Sequence, residues 1–303
     1  MGADWIDLLD PSEAELREKA PRELEESALQ VMLRPHVHND EPRPTLQSHG
    51  DYVFGVFLAA DYVEAVRQIF YPEVDIVITH DTILTVRKTP LDHCPPLDIE
   101  PVKDAVKETD SPGMIAYRLV DAIAEQYLDL IDELDTKIDE LEDLVDSQPA
   151  QRTRERISEL RHGLLRIRRT LAPMRDAVRR VVDDVVEVEE GEPVFPQPVE
   201  IAFNSAYDKF LRATDGLDLA RDLLAGVRDY SQAKVANDQN EVTKRLTVVA
   251  SLLLVPTFIV GVYGQNFVHI PELHWHWGYW YSWGLIVGTT ILQLVYFRWK
   301  RWI

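Results

Sequence analysis

The sequence predicts an α/β domain followed by a long stalk helix and two C-terminal transmembrane helices. Three observations support this fold class. Short apolar runs that alternate with polar residues fill the first hundred positions, and a sustained helical periodicity begins at Pro112. Two uncharged stretches, 246–263 and 279–297, then follow. Because about 20 apolar residues cross a ~30 Å hydrocarbon core, each stretch is predicted to span a membrane.

Residues 1–111 are predicted to form the α/β domain. Strands are expected at 29–34, 52–58, 74–80 and 82–88, and short helices near 12–20, 61–70 and 101–109. The last two strands flank Asp81 and are predicted to pair as a hairpin. This domain also contains two pairs of residues of the kinds that bind zinc: His36 with His38, and His93 with the single cysteine, Cys94. Neither pair has the number of ligands of a closed zinc site, so all four are interpreted as surface residues.

Residues 112–198 are predicted to form an acidic helical hairpin and a loop, with a break at Gln148-Pro149. A stalk helix is expected over 199–245. Since no proline occurs between 199 and 255, it is predicted to continue through the first membrane stretch, 246–263. That run would measure roughly 95 Å at 1.5 Å per residue. A single chain does not cover a helix of this length, so copies of the chain are expected to associate.

The charge distribution excludes some functions and predicts the orientation in the membrane. The chain has 32 basic and 52 acidic residues, and residues 1–245 alone carry a net charge of −22, which argues against nucleic-acid binding. The motifs of phosphate-loop, serine-hydrolase and zinc-protease enzymes do not occur, so no enzyme is predicted. Basic residues precede the first stretch and occur in the tail 298–303, whereas the loop 264–278 has none. A multi-pass protein of the cell membrane, with both termini in the cytoplasm, is therefore predicted.

Several short motifs carry a resemblance to a known family. They are Tyr263-Gly264-Gln265-Asn266-Phe267, Ile270-Pro271-Glu272-Leu273, the basic tail Lys300-Arg301-Trp302-Ile303, and Asn240-Glu241-Val242. Together they resemble the CorA family of divalent-cation (Mg²⁺/Co²⁺) transporters. The family has Gly-Met-Asn where this chain has Gly-Gln-Asn, and Gln265 therefore leaves the ion preference open. The resemblance implies a homopentameric funnel in the lipid bilayer, in which the first transmembrane helices line a pore.

The resemblance also implies which residues meet the ion. Gly264, Gln265 and Asn266 would form the selectivity motif at the outer mouth. Positions spaced at three to four residues, with wider gaps on the stalk, would line the pore: Asp229, Asn240, Thr243, Thr247, Ala250, Leu254, Thr257 and Gly261. Within the membrane these side chains are small, hydroxylated or apolar. Neutral oxygens suit hydrated Mg²⁺, which loses its water reluctantly. Leu254 is the predicted apolar constriction.

Other polar residues are expected to assist or regulate. Glu272 would place a ring of negative charge outside the mouth. The loop histidines His269, His274 and His276 are interpreted as interfacial residues, although His274 and His276 could bind a softer ion such as Zn²⁺. The stalk carboxylates Asp208, Asp215, Asp218 and Asp222 are candidate regulatory metal ligands. No covalent cofactor is expected, and divalent cations would be both substrate and possible regulator.

Three functions remain open on the sequence. The leading one is a membrane channel that takes up divalent cations, Mg²⁺ first and Co²⁺ or Ni²⁺ as alternatives. A Zn²⁺-transporting relative would keep the fold and use Gln265 and the loop histidines. A membrane-anchored oligomeric scaffold or sensor that conducts no ions belongs to another class, and it would not need the neutral row of small residues.

Overall fold

The computed structural model describes residues 3–37, 40–64, 68–90, 95–186, 188, 193–266 and 270–303, apart from the side chain of Leu273. The predicted roles of His38, His93, Cys94, Phe267 and His269 lie outside these residues. The chain divides into two compact units, Met1–Arg228 and Asp229–Ile303.

The first unit begins with an α/β layer. Its elements are β1 Asp4–Leu9, α1 Glu13–Lys19, α2 Glu26–Leu33, β2 Thr45–Ser48, β3 Val53–Leu58, β4 Asp61–Val63, β5 Gln68–Phe70, β6 Glu73–Ile78, β7 Thr82–Arg87 and α3 Glu100–Ala105. Five strands form one sheet in the order β1-β7-β6-β3-β2, and β4 pairs with β5 separately. β1 is parallel to β7, and the other neighbouring strands of the sheet are antiparallel.

The sequence located five of these ten elements, misassigned two segments and predicted neither β1 nor β2. The hairpin around Asp81 is confirmed as β6 and β7. The strand predicted at 29–34 is wrong, because α2 occupies 26–33 and buries Ala28, Leu29 and Met32 at helical spacing. The helix predicted at 61–70 is also wrong, since the short strands β4 and β5 lie there as an antiparallel pair. Short apolar runs fit both the 3.6-residue period of a helix and the two-residue period of a strand, and packing against the sheet decides which one forms.

Three long helices follow the α/β layer, and the first two pack against its strands. They are α4 Pro112–Leu144, α5 Ala150–Val182 and α6 Gln197–Tyr263, and they confirm the predicted hairpin and uninterrupted long helix. Ser111 caps α4, since its hydroxyl accepts a bond from the Met114 amide at 3.3 Å. In this unit α6 buries one row of residues: Val199, Phe203, Ala206, Phe210, Ala213, Leu217, Ala220, Leu224 and Val227. The Tyr127 and Phe210 rings meet edge to face, 5.9 Å apart, and this packing fixes which side of α6 faces outward.

A buried charge cluster joins α2 to the sheet and corrects the interpretation of His36 as a surface residue. His36, Glu73, Asp75 and Lys88 are each 3% exposed or less. The Lys88 ammonium bonds Glu73, the Asp75 carboxylate at 3.0 Å and the Val31 carbonyl at 2.6 Å. His36 Nδ1 lies 3.2 Å from the other Glu73 oxygen. The cluster thus contains two carboxyl groups and one group that is always positively charged, the Lys88 ammonium.

The pKa values of the two carboxyl groups, Asp75 and Glu73, shift in opposite directions. Burial, reinforced by repulsion from Glu73, raises the pKa of Asp75 to about 8. Burial acts in the same direction on Glu73, but His36 and Lys88 outweigh it and lower the Glu73 pKa. Asp75 therefore keeps its proton at neutral pH, and Glu73 carries the negative charge that balances Lys88.

We expect Asp75→Asn to make the folded chain more stable at pH 8 and to flatten its pH dependence. The unfolded Asp75 ionises near pH 3.9, whereas the folded one holds its proton to about pH 8. The folded state thus binds the extra proton, so stability is lost as pH rises towards 8, by at most about 1.4 kcal/mol per pH unit. Asparagine has no proton to lose. Hydrogen exchange of the β6 amides at pH 6 and pH 8, compared as intrinsic-rate-corrected protection, measures the effect. Asp61→Asn, at an exposed position, is the control, and parallel profiles for Asp75→Asn and wild type would contradict the expectation.

The second unit contains the rest of α6, a short 3₁₀ helix at Pro271–His274 and α7 Gly278–Trp299. Of the helices in the described residues, α6 is long and apolar enough to cross a membrane. α7 has 22 residues, but the aromatic residues Tyr279, Trp280, Tyr281 and Trp283 lower its hydropathy. The second predicted span therefore stays a prediction, and such residues are typical of a membrane interface. The fold class, an N-terminal α/β domain with a long helix and one further C-terminal helix, is confirmed.

Candidate functional site

The predicted pore-lining residues form one exposed row along α6. Those in the membrane half are Thr243, Thr247, Ala250, Leu254, Thr257 and Gly261, with Asp229 and Asn240 before them, and all are exposed. Leu254 is 71% exposed, although it lies in the middle of an apolar segment. A large exposed row on a membrane-length helix indicates that something other than its own chain covers it.

The threonines of this row present oxygen acceptors outward. Thr243 donates its hydroxyl hydrogen to the Gln239 carbonyl at 2.8 Å, Thr247 to Thr243 at 2.8 Å, and Thr257 to Leu253 at 2.7 Å. Each hydroxyl hydrogen is thereby used within the helix. The remaining lone pairs are the free groups of these side chains, and they accept hydrogen bonds from water, including water bound to a cation.

α7 packs on a different face of α6 from the row. Gln293 donates its side-chain amide to the Ser251 carbonyl at 3.2 Å, and Val248 and Ile259 are buried. At 100° per residue Val248 and Ile259 lie about 100° and 120° around the helix from Thr247, whereas Ser251, which contributes its backbone carbonyl, lies about 40° from it. The helix pair therefore leaves the predicted ion-facing side open.

The predicted selectivity motif follows directly after the last turn of α6. The Gly264 amide donates to the Val260 carbonyl at 2.8 Å, and a Cβ at Gly264 would lie 3.1 Å from that same oxygen. Gln265 and Asn266 are exposed. Within the described residues neither carboxamide makes a hydrogen bond. Both are free to contact an ion or its water at the helix end.

The described residues of the outer loop form no metal site of their own. Glu272 is half-buried in the 3₁₀ helix, and His274 and His276 are exposed. His276 stacks edge to face on Trp277, with ring centroids 5.7 Å apart. Over the residues that the structure describes, no group of three His, Cys, Asp or Glu side chains is placed to hold a metal ion. The interfacial interpretation of these histidines and their role in Zn²⁺ binding both remain predictions.

The stalk carboxylates lie on the outward face of α6. Asp208, Asp215 and Asp222 are exposed, on the side opposite the buried row, and Asp218 pairs with Arg221 at 3.0 Å. Asp208, Asp215, Asp222 and Asp229 follow at seven-residue intervals in the sequence. Their side chains are too far apart along the helix, about 10 Å per step, for two of one chain to share an ion.

Sequence reasoning missed the charge cluster of His36, Glu73, Asp75 and Lys88. A weak signal exists, because Glu73 and Asp75 alternate with apolar residues inside a strand whose residues are all buried. A buried strand with two acidic residues requires a cation nearby. The identity of that cation depends on how the sheet pairs β6 with β7.

A membrane-length helix with an outward row of neutral oxygen acceptors, attached to an acidic domain, defines a membrane transporter of cations. The chain belongs to the CorA-like Mg2+ transporter protein family, whose sequence profile matches residues 2–301. It is 29% identical over 271 residues to the Cobalt/magnesium transport protein CorA of Thermotoga maritima, covering 88% of this chain and 74% of that protein.

Solved structures confirm the fold. The complete structure of the CorA magnesium transporter from Methanocaldococcus jannaschii aligns with a TM-score of 0.78 at 22% identity, covering 99% of this chain and 91% of that one. The ZntB cytoplasmic domain from Vibrio parahaemolyticus aligns with a TM-score of 0.56 at 15% identity, covering 78% and 90%. At these identities the likeness is one of fold.

Proposed function

We propose that the chain forms a homopentameric channel in the cell membrane that carries divalent cations, Mg²⁺ first, into the cytoplasm. The observation that carries this proposal is the exposed row of neutral, oxygen-bearing and small residues on α6. Family membership supports it, and so do the names of relatives that transport magnesium and cobalt. Five copies would place their rows around one axis, where neighbouring copies would cover the residues that each chain leaves exposed.

The row suits an ion that keeps its water. Mg²⁺ dehydrates reluctantly, so a pore that demanded bare Mg²⁺ would conduct slowly. Acceptor oxygens of Thr243, Thr247 and Thr257 hold the water shell without a full negative charge, and the ion can leave again. At the outer mouth, five Asn266 carboxamides with the Gly264 carbonyls would form the first ring. Asn240 would form a similar ring at the inner end.

Charged and apolar residues would control passage. Glu272 would concentrate cations outside the mouth. A ring of Leu254 side chains would close the pore by excluding water. Divalent cations bound to stalk carboxylates such as Asp208 and Asp215 would favour the closed state, because a ligand shifts an equilibrium by its differential affinity. The cation would then act as substrate and regulator.

The proposed orientation follows from the basic residues. Lys244 and Arg245 precede the membrane part of α6, and Lys244 pairs with Glu241 at 2.8 Å. Arg298, Lys300 and Arg301 follow the membrane part of α7. Under the positive-inside rule, both termini and the −22 domain face the cytoplasm, and the loop 264–278 faces outward.

A second candidate is Zn²⁺ transport by the same fold. Gln265 in place of the family's methionine and the exposed His274 and His276 favour it, and the likeness to the ZntB domain is consistent with it. Against it, imidazole groups hold Zn²⁺ firmly only in sets of three or four. A non-conducting scaffold is disfavoured, because an anchor has no use for the acceptor row.

Ion entry into liposomes tests the proposal. Purified full-length protein is reconstituted, and uptake of Mg²⁺, Co²⁺, Ni²⁺ and Zn²⁺ is recorded with an internal indicator for each ion. We expect Mg²⁺ to enter and Co²⁺ or Ni²⁺ to compete. Zn²⁺ entry with no Mg²⁺ entry would favour the second candidate, and no entry of any of the four ions would favour the scaffold.

A further inference from the structure

The two helices of the hairpin carry opposite charge. α4 has ten acidic and two basic residues, a net −8, whereas α5 has ten arginines and three acidic residues, a net +7. Each helix has 33 residues, and they are joined by residues 145–149. Among the described residues, no ion pair joins Asp132 or Asp139 of α4 to Arg154, Arg161 or Arg168 of α5 within the hairpin.

The charges include two exposed rows with the same spacing. The acidic row consists of Glu125, Asp132 and Asp139 on α4, and the basic row consists of Arg154, Arg161 and Arg168 on α5. Members of a row are seven residues apart, which is two turns or about 10.5 Å. Glu125 pairs with Lys209 at 2.7 Å. Counting only described partners, the other five side chains make no ion pair or hydrogen bond.

A further carboxyl group of α4 lies beside the acidic row. Asp135 lies between Asp132 and Asp139, and one of its carboxylate oxygens is buried without a hydrogen-bond partner in the described residues. Burial, followed by the charges of Asp132 and Asp139, raises the pKa of Asp135. Like charges at such spacing destabilise a helix unless a counter-charge is nearby.

The two rows lie at the same heights. α4 and α5 are antiparallel, have equal length and meet at the turn between Leu144 and Ala150. Counting back from that turn, Asp139 is level with Arg154, Asp132 with Arg161 and Glu125 with Arg168. Each match is within one residue, or about 1.5 Å along the axis.

The rows also lie on opposite flanks of α6. Lys209 pairs with Asp121 and Glu125 of α4, whereas Tyr207 lies within electrostatic reach of Arg179 of α5. Residues two apart in a helix point about 200° from each other, so α4 and α5 flank α6 on different sides. Arg179 follows Arg168 by three turns and shares its face. Between the flanks, α6 exposes the face that carries Asp208.

We propose that the acidic row of one protomer docks on the basic row of a second copy of this chain. This inference rests on the proposed oligomer and specifies how its cytoplasmic parts meet. A two-fold dimer uses the same surface of both copies, so a dimer formed through one flank would set an acidic row against an acidic row or a basic row against a basic row. Rotation about an axis parallel to the hairpin instead sets the acidic row of one copy against the basic row of the next copy at equal height. Repetition of this contact closes into a ring. The exposed face of α6 then points towards the axis.

Cross-linking tests the contact directly. In full-length protein with Cys94 replaced by serine, Asp132→Cys and Arg161→Cys are combined and oxidised in detergent micelles. We expect a ladder on a denaturing gel that extends beyond the dimer to a closed ring. A product that stops at the dimer, an internal bridge within a monomer, or no bridge at all would each overturn the proposal.

Charge exchange supplies a second test that needs no disulfide. The pair Arg154→Glu and Arg161→Glu should convert most of the oligomer into smaller species in a mass measurement on the intact particle. Asp132→Arg with Asp139→Arg should do the same, and all four changes together should restore the assembly. Arg152→Glu, two residues from Arg154 and facing another side, is the matched control and should leave it intact. If the four changes fail to restore assembly, or if removal of Mg²⁺ rather than arginine reversal disperses it, the contact is not the proposed one.

The outcomes separate this inference from the proposed function. Wild-type protein that assembles and conducts cations, but shows neither the cross-link nor the charge rescue, would overturn the contact and leave the channel standing. Wild-type protein that neither assembles nor conducts would overturn both.

Discussion

Replacing Asn266 by alanine should lower Mg²⁺ entry into liposomes at least tenfold. Asn266 is exposed at the end of α6, and its carboxamide makes no hydrogen bond within the described residues, so its removal costs the fold little. In the proposed pentamer, the change deletes five carboxamides that hold the water of the entering ion. A hydrogen bond contributes about 0.5–1.5 kcal/mol net, and a tenfold change in rate corresponds to about 1.4 kcal/mol. The loss of several contacts in one ring therefore exceeds a factor of ten.

The control is Asn237→Ala, which removes the same group from an exposed position of α6 outside the proposed row. Both variants are compared with wild type at equal reconstituted protein, and their particle masses are checked first. Asn237→Ala should conduct like wild type. Undiminished Mg²⁺ entry through Asn266→Ala would rule out the ring role of Asn266, although not the channel itself.

The long helices could all be predicted from the sequence, whereas the short segments could be predicted only in part: the hairpin of β6 and β7 is confirmed and two other segments are wrong. The helices α4, α5 and α6 repeat their apolar residues over many turns, and such patterns leave no doubt about the period. The segments 29–34 and 61–70 are too short for that. The first is a helix because Leu29 and Met32 face the sheet together, and the second is a pair of strands. In both, tertiary packing overrides what the local run indicates.

The candidate site can likewise be predicted from the sequence only in part. The row from Asn240 to Gly261 lies on a single helix, so spacing alone places its residues on one face, and the structure leaves that face open. His36, Glu73 and Lys88 come together only because β6 pairs with β7 and α2 packs above them. Because these residues are far apart in the sequence, no sequence pattern shows that they come together. For the same reason, Asp208 and Asp215 cannot be assigned as ligands from the sequence, since any partner would come from another copy.

Lys88→Met should destabilise the α/β layer by about 3–5 kcal/mol, the usual cost of removing one partner from a buried ion pair. Lys88 is 3% exposed, bonds Glu73 and Asp75, and donates to the Val31 carbonyl of α2. Methionine fills a similar volume but removes the ammonium that balances the charge of Glu73 and bonds Asp75. Hydrogen exchange of the β6 and α2 amides in the full-length protein measures the loss. Lys19→Met, at an exposed position of α1, is the matched control and should change protection by less than about 0.5 kcal/mol.

The pH dependence of Lys88→Met distinguishes charge from packing. Without the ammonium, the pKa values of Glu73 and Asp75 both rise, because Lys88 is one of the groups that lower them. Asp75, whose pKa is about 8 with the ammonium present, then holds its proton in the folded variant to a higher pH than in the folded wild type, so the deficit of the variant should grow from pH 6 to pH 8, where wild-type Asp75 ionises. Adding Glu73→Gln and Asp75→Asn to Lys88→Met removes the buried charges and should recover most of the loss at both pH values. A deficit that is equal at both pH values and persists in the neutral triple variant would instead mean that Lys88 acts through its packing against α2.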